Sequence, residues 1–180
     1  MALPPFRERL RKAGRKWGLS LFFAAAALAH AQEPVVLAPG SPGSAIGTAT
    51  QLLRHLADGN IEQAARLSNA PQRRYEVLRD YRAMVGQDEF KRLFARYFEP
   101  ENRLIAEVAL GPHRLLVWEL GEAQNHLAGQ YYVEVDGRFL MDDVPSEERS
   151  RLRGVLDTYR KNRGQSPISP SVSQIPEIGL

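Results

Sequence analysis

Four carboxylates and a pair of tyrosines lie close together in the stretch GQYYVEVDGRFLMDDV, residues 129–144. A carboxylate held beside a hydrogen-bonding tyrosine can act as a general acid or base. Glu134 and Asp142 are the catalytic candidates, and Tyr131 is a candidate ligand contact. A solvated strand carboxylate is the more common role for such residues. We therefore expect this stretch to close a sheet rather than to form an active site.

The turn inside this stretch determines which of these side chains can meet. Asp136-Gly137 lies between alternating segments and predicts a tight β-hairpin, because both turn positions require positive φ. Pairing across the turn places Tyr131 and Asp142 on one face of the hairpin and Glu134 on the other. Both faces are mixed in polarity, so the pattern leaves open which face lines a cavity.

Few other residues are candidates for chemistry. Trp118, in LLVWEL, and His55, in the first predicted helix, are the remaining candidate ligand contacts, with a core tryptophan and an exposed helix histidine as the alternatives. None of the four histidines has metal-ligand spacing, and the chain has no cysteine. We predict neither a metal site nor a cofactor. Nucleophile-elbow, P-loop and dinucleotide-binding motifs are also missing from the sequence.

Arginines are concentrated in APQRRYEVLRDYR, residues 70–82. Arg73, Arg74, Arg79 and Arg82 lie near two tyrosines there, and both residue types are favoured at protein interfaces. The interleaved acidic residues favour a simpler interpretation, a solvated helix face.

The amino-terminal residues predict export. Six Lys/Arg residues precede an apolar run of 13 residues, Trp17–Ala29, which ends in the Ala-His-Ala of residues 29–31. These are the three parts of a secretory signal peptide, and the run is shorter than the roughly 20 residues of a membrane span. We expect a signal peptide over residues 1–31 and a periplasmic protein without a membrane span after cleavage. An uncleaved amphipathic anchor is the alternative.

Cleavage would reverse the sign of the net charge. The full chain has 24 Lys+Arg and 21 Asp+Glu, of which residues 1–31 hold six and one. Residues 32–180 therefore carry 18 basic against 20 acidic groups, a net charge of −2. The basic footprint of a nucleic-acid-binding protein is not present in that part of the chain.

The rest of the chain predicts one α+β domain over residues 44–163. Apolar residues recur at helical spacing as far as Pro100 and then alternate in two hairpins, which gives helices packed on a curved antiparallel sheet of about four strands. A carboxy-terminal helix follows, capped by Ser146, with a buried stripe at Leu152, Val155, Leu156 and Tyr159. Residues 32–43 are expected to be a flexible lead-in and residues 164–180 a disordered tail.

This order of elements resembles the nuclear transport factor 2-like superfamily, whose fold is a cystatin-like α+β cone. The resemblance covers residues 44–145 and rests on LLRHLADGNIEQAARLS, residues 52–68, and YYVEVDGRFLMDDV, residues 131–144. It implies a sheet curling around a helix pair. The superfamily includes enzymes, binding proteins and adaptors, so the fold alone does not assign a function.

The superfamily's ketosteroid isomerases carry a tyrosine in the first helix, where this chain has Leu52. The loop RLSNAPQ also lacks the aspartate that would serve as their general base. We therefore expect a non-catalytic exported domain whose concave sheet face takes an apolar small molecule or a protein segment, and which can form a homodimer. The alternatives are an isomerase, dehydratase or cyclase using Glu134 or Asp142 with a tyrosine, and a subunit of a cell-envelope complex.

Overall fold

The structure of the protein, a computed structural model, describes residues 32–38, 41, 43–121 and 126–163. The described residues belong to one compact unit, Gln32–Leu180. The predicted signal peptide, residues 1–31, and the predicted tail, residues 164–180, lie outside the described residues.

Helices and an antiparallel sheet make up the described chain, in an α+β arrangement that ends in a helix, as predicted. The helices are α1 (Ile46–Ala57), α2 (Ile61–Ala65), α3 (Pro71–Val85), α4 (Gln87–Ala95), a 3-10 helix (Arg96–Phe98) and α5 (Glu147–Asn162). The strands are β1 (Val35–Leu37), β2 (Arg103–Leu110), β3 (His113–Leu120), β4 (His126–Val135) and β5 (Arg138–Met141), and they pair in that order.

The sheet has five strands, whereas the sequence predicted about four. The additional strand, β1, lies in the segment that was expected to be a flexible lead-in. It pairs antiparallel with β2, with Val35 opposite Ala109 and Leu37 opposite Glu107. Three residues are too few to reveal an alternating pattern, so only the pairing with β2 identifies this strand.

The hairpin between β4 and β5 has the predicted geometry. Asp136 and Gly137 have φ values of 51° and 73°. Val135 lies opposite Arg138 and Val133 opposite Leu140, so the predicted assignment of residues to the two sheet faces is confirmed.

Each face of the sheet carries its own hydrophobic core, because successive strand residues point to opposite faces. The first core lies between the sheet and α1–α4, and Tyr132 belongs to it. The second core lies between the sheet and α5, and Tyr131 belongs to it. In the second core Leu152 and Leu156 are buried, while Val155 and Tyr159 pack against them, so the predicted stripe of α5 faces the sheet.

Helix α5 makes a close approach to β4 at Gly129. A Cβ atom at this position would lie 2.5 Å from Leu156 Cδ2 and 3.1 Å from Leu115 Cδ1. The helix begins where Ser146 Oγ accepts a hydrogen bond of 3.0 Å from the Arg149 amide, as the sequence predicted. Among the described residues, no helix has the length and apolar character needed to cross a membrane.

A β-bulge in β2 changes which of its residues face the helices. The register with β3 shifts between Leu104 and Ala106. Leu104 packs on the first core, whereas Ile105 and Ala106 both contact the second. Beyond the bulge, Glu107 pairs with Leu116, a residue of the first core.

The buried carboxylate of Glu107 fixes the start of α1. Its Oε1 accepts a hydrogen bond of 2.8 Å from the Ala45 amide, and its Oε2 accepts one of 2.5 Å from Ser44 Oγ. A negative charge at the positive end of a helix is stabilising, and amides in the first turn have no partner within the helix.

Candidate functional site

A group of polar side chains is buried in the first core, on the β3 and β4 strands. Trp118 Nε1 donates a hydrogen bond of 2.9 Å to Gln130 Oε1. The Tyr132 hydroxyl donates to the same oxygen over 3.3 Å. Gln130 and Tyr132 are fully buried, and Trp118 is 8% exposed. These three residues form a polar centre within the first core.

The amide nitrogen of Gln130 has no partner within the described part of the chain. Gln130 Nε2 is buried and makes no hydrogen bond there. The orientation of the amide is determined by its surroundings, because two donors converge on Oε1 and require an acceptor at that position. An unsatisfied buried donor costs about 1–3 kcal/mol. Such a group calls for an explanation by a bound molecule, a water or a functional role.

A buried ion pair lies close to this polar centre. Arg74, on α3, is 3% exposed and donates from Nε to Asp143 Oδ2 over 2.8 Å, with a second contact between its terminal nitrogen and Asp143 Oδ1. Ser68 Oγ also donates to Asp143 Oδ2, over 2.6 Å. The charges of Arg74 and Asp143 therefore offset each other inside the fold.

Burial keeps the neighbouring phenols in their neutral form. Desolvation raises the pKa of Tyr132 well above its ordinary value, and the nearby Arg74 charge only partly opposes that rise. Desolvation also raises the pKa of Tyr97. The Tyr97 ring lies edge-on to the Trp118 indole, with centroids 5.5 Å apart. Both tyrosines are thus neutral hydroxyl groups at physiological pH.

The apolar surroundings become more accessible with distance from Gln130. Trp118 pairs with Ala128 on β4 and with Leu104 on β2. Ala128 is 9% exposed, and Leu104 and Leu120, which pack on the same core, are partly exposed. We name Leu104, Leu120 and Ala128 the apolar rim. The polar centre lies on its inner side.

A second group of polar residues lies on the opposite face of the sheet, beside the first turn of α5. His113 Nδ1 is 3.0 Å from Asp142 Oδ2, and His113 Nε2 is 4.0 Å from Glu148 Oε2. Asn69 Nδ2 donates to Asp142 Oδ1 over 2.9 Å. Within the described ranges, no three His, Asp or Glu side chains form a group that could hold a metal ion.

The structure separates the residues that the sequence singled out. Trp118 lies in the first core and Tyr131 in the second, where the Arg149 guanidinium lies 5.4 Å from the centroid of its ring. Asp142 is buried beside His113, whereas Glu134 is exposed near the hairpin turn. Glu134 and Asp142 do not converge.

His55 lies on α1 and is partly exposed. It makes none of the hydrogen bonds that define the polar centre around Gln130. Its backbone carbonyl accepts a hydrogen bond of 2.7 Å from the Asn60 amide, just after the end of α1.

Sequence reasoning missed two residues of the polar centre and its surroundings. Arg74 was assigned to a solvated or interacting helix face, which is wrong, because it is buried against a carboxylate 69 positions away. Gln130 was read only as part of a strand. An uncharged polar residue inside the buried run LAGQYY was the one local signal that pointed to it.

Comparisons of the chain with protein-family models, with curated protein sequences and with solved structures found no match.

Proposed function

We propose that this protein is an exported, periplasmic, non-catalytic binding domain whose helix-facing sheet surface takes a small, largely apolar ligand. The observation that carries the proposal is the buried Nε2 of Gln130, a donor without a partner in the described chain. A ligand that accepts this hydrogen bond would remove the cost of the unsatisfied donor. The basic, apolar and Ala-His-Ala segments of residues 1–31 support export.

The surroundings of Gln130 support a binding role over catalysis. Its neighbours Trp118, Tyr132 and Tyr97 are neutral, and the charges of Arg74 and Asp143, which act on Tyr132, are paired with each other. Proton transfer requires a group that can change its protonation state near neutral pH. The order of helices and strands also supports membership of the nuclear transport factor 2-like superfamily, in which pockets between helices and sheet are common.

The two alternative functions have less support. An isomerase, dehydratase or cyclase would need a carboxylate and a tyrosine in one cavity, but Glu134 is exposed and Asp142 is bonded to His113 on the α5 side. A subunit of an envelope complex would present an exposed apolar stripe on α5. That stripe instead packs on the second core.

Native mass spectrometry of the full chain, purified gently from its own periplasmic extract, tests the proposal. We expect a small molecule retained by the wild-type protein and lost from a Gln130→Met variant. Gln72→Met is the matched control, because Gln72 is exposed and its side chain donates to Glu76 on its own helix. A wild-type protein without a small molecule would overturn the binding role, and its recovery in the cytoplasmic fraction would overturn export.

A further inference from the structure

The polar centre also restricts the chemical class of ligand. We infer that the ligand is an uncharged, mainly apolar molecule that presents a carbonyl oxygen to Gln130 Nε2. This inference rests on the proposed function and specifies the contact that would select the ligand.

The first step concerns the hydrogen bond. Gln130 Oε1 is occupied by the Trp118 indole and the Tyr132 hydroxyl, at 2.9 Å and 3.3 Å. Only Nε2 is left for a ligand, and an amide nitrogen can donate but not accept. The ligand must therefore bring an acceptor. A ligand whose inner end offers only donors would leave Nε2 unsatisfied and add further unpaired groups.

The second step concerns charge. Arg74, the buried cation near this site, already has two of its nitrogens on Asp143. Glu107, also on this face of the sheet, is held by Ser44 and Ala45. An anionic ligand would therefore be buried beside carboxylates whose partners are taken, and beside neutral phenols. Burying a charge without a counter-charge is far more costly than burying a neutral carbonyl.

The third step concerns the body of the ligand. Outward from Gln130 the face is lined by the Trp118 and Tyr97 rings and then by the apolar rim. None of these side chains except the Trp118 indole and the Tyr97 hydroxyl carries a polar group. An apolar body would gain affinity by covering this surface. The carbonyl provides orientation, which is the usual division of roles in small-molecule sites.

A series of three probes of nearly equal shape tests the inference on the full chain. The probes are 2-acetylnaphthalene, 2-isopropenylnaphthalene and 2-naphthoate, which present a neutral carbonyl, no acceptor and an anion. Isothermal titration calorimetry would give each dissociation constant. We expect 2-acetylnaphthalene to bind about tenfold more tightly than 2-isopropenylnaphthalene, a difference of the size that one hydrogen bond provides. We expect 2-naphthoate to bind more weakly still, because its charge would be buried without a counter-charge.

The variant Gln130→Met isolates the contact, because it keeps the length of the side chain but has no donor. We expect it to bind 2-acetylnaphthalene and 2-isopropenylnaphthalene with equal affinity, whereas the Gln72→Met control keeps the tenfold preference. A uniform loss of binding to all three probes in Gln130→Met, with an unfolding midpoint well below that of wild type, would mark a folding defect. Wild-type selectivity then decides the inference by itself.

The outcomes separate the inference from the proposed function. Tightest binding of 2-naphthoate, or equal binding of the two neutral probes, would overturn the carbonyl inference and leave a binding domain. If no probe binds, the mass retained from the periplasmic extract decides. A neutral carbonyl compound supports the inference, an anion overturns it, and a bare chain overturns both the inference and the binding role.

Discussion

His113 Nδ1 lies 3.0 Å from Asp142 Oδ2, a contact that joins the start of β3 to the residue just after β5. The next residue, Asp143, bonds instead to Arg74 on α3. Two consecutive carboxylates therefore serve opposite faces of one sheet, as the alternation of an extended chain requires. One fixes the sheet beneath α5 and the other fixes it to the helices of the first core.

The contact of Asp142 makes a specific prediction about stability. The Asp142 carboxylate has two acceptor oxygens, one facing His113 Nδ1 and the other accepting from Asn69 Nδ2. An amide at this position would place an NH₂ group against one of these two partners. We expect Asp142→Asn to lower the free energy of unfolding by about 1–3 kcal/mol, measured by urea denaturation. Asp157→Asn is the control, because Asp157 lies 44% exposed on α5 with Arg160. Equal losses in the two variants would contradict the structural role of Asp142.

Removal of one member of the buried ion pair is predicted to be more damaging. Arg74→Met leaves the Asp143 carboxylate buried without its cation, and breaking such pairs costs about 3–5 kcal/mol. Arg79→Met is the control, since Arg79 and its partner Asp80 are both more than half exposed. We expect the control to lose less than about 1 kcal/mol. Urea denaturation gives the free energy of unfolding of both variants. A loss in Arg74→Met as small as that in the control would show that the buried pair does not stabilise the fold.

The close approach at Gly129 predicts a coupling between two residues. An added methyl group meets Leu156, so Gly129→Ala is expected to lower the free energy of unfolding by about 1–3 kcal/mol. In a Leu156→Ala background the methyl enters space that the leucine has vacated, and Gly129→Ala should then be nearly neutral or stabilising. A double-mutant cycle measures this. Additive losses would mean that α5 and β4 do not touch at this point.

The buried phenols predict a loss of stability at high pH. Burial raises the pKa of Tyr132 and Tyr97, so the native state keeps protons that the unfolded state releases above the ordinary tyrosine pKa. Stability is fully present below that ordinary value and falls as the pH rises beyond it. Tyr132→Phe should make the fall shallower, whereas Tyr159→Phe, on the opposite face, is the comparison. Denaturation midpoints across the alkaline range check this, and identical slopes for wild type and Tyr132→Phe would refute it.

Local signals in the sequence predicted the parts of the fold that local geometry controls. Asp136-Gly137 specifies a turn because few residue pairs accept two positive φ values. Ser146 specifies a helix start because its hydroxyl reaches the amide three residues on. Both features appear in the structure at the predicted positions.

The polar centre and the ion pair beside it depend on contacts that no local pattern contains. Arg74 meets Asp143 only because α3 and the end of β5 come together in the folded chain. Gln130 gains its importance from Trp118 on the neighbouring strand. The strand β1 was missed for the same reason, since its three residues are ordered by pairing with β2.

The bulge in β2 makes this strand unusually tolerant of a change in length. Ile105 and Ala106 both point toward α5, so the loss of one of them would leave Leu104 and Glu107 facing the helices. In β3, by contrast, a one-residue deletion would move every following side chain of the strand to the opposite face of the sheet. A deletion of one residue at the bulge would therefore leave Glu107 in place to cap the start of α1.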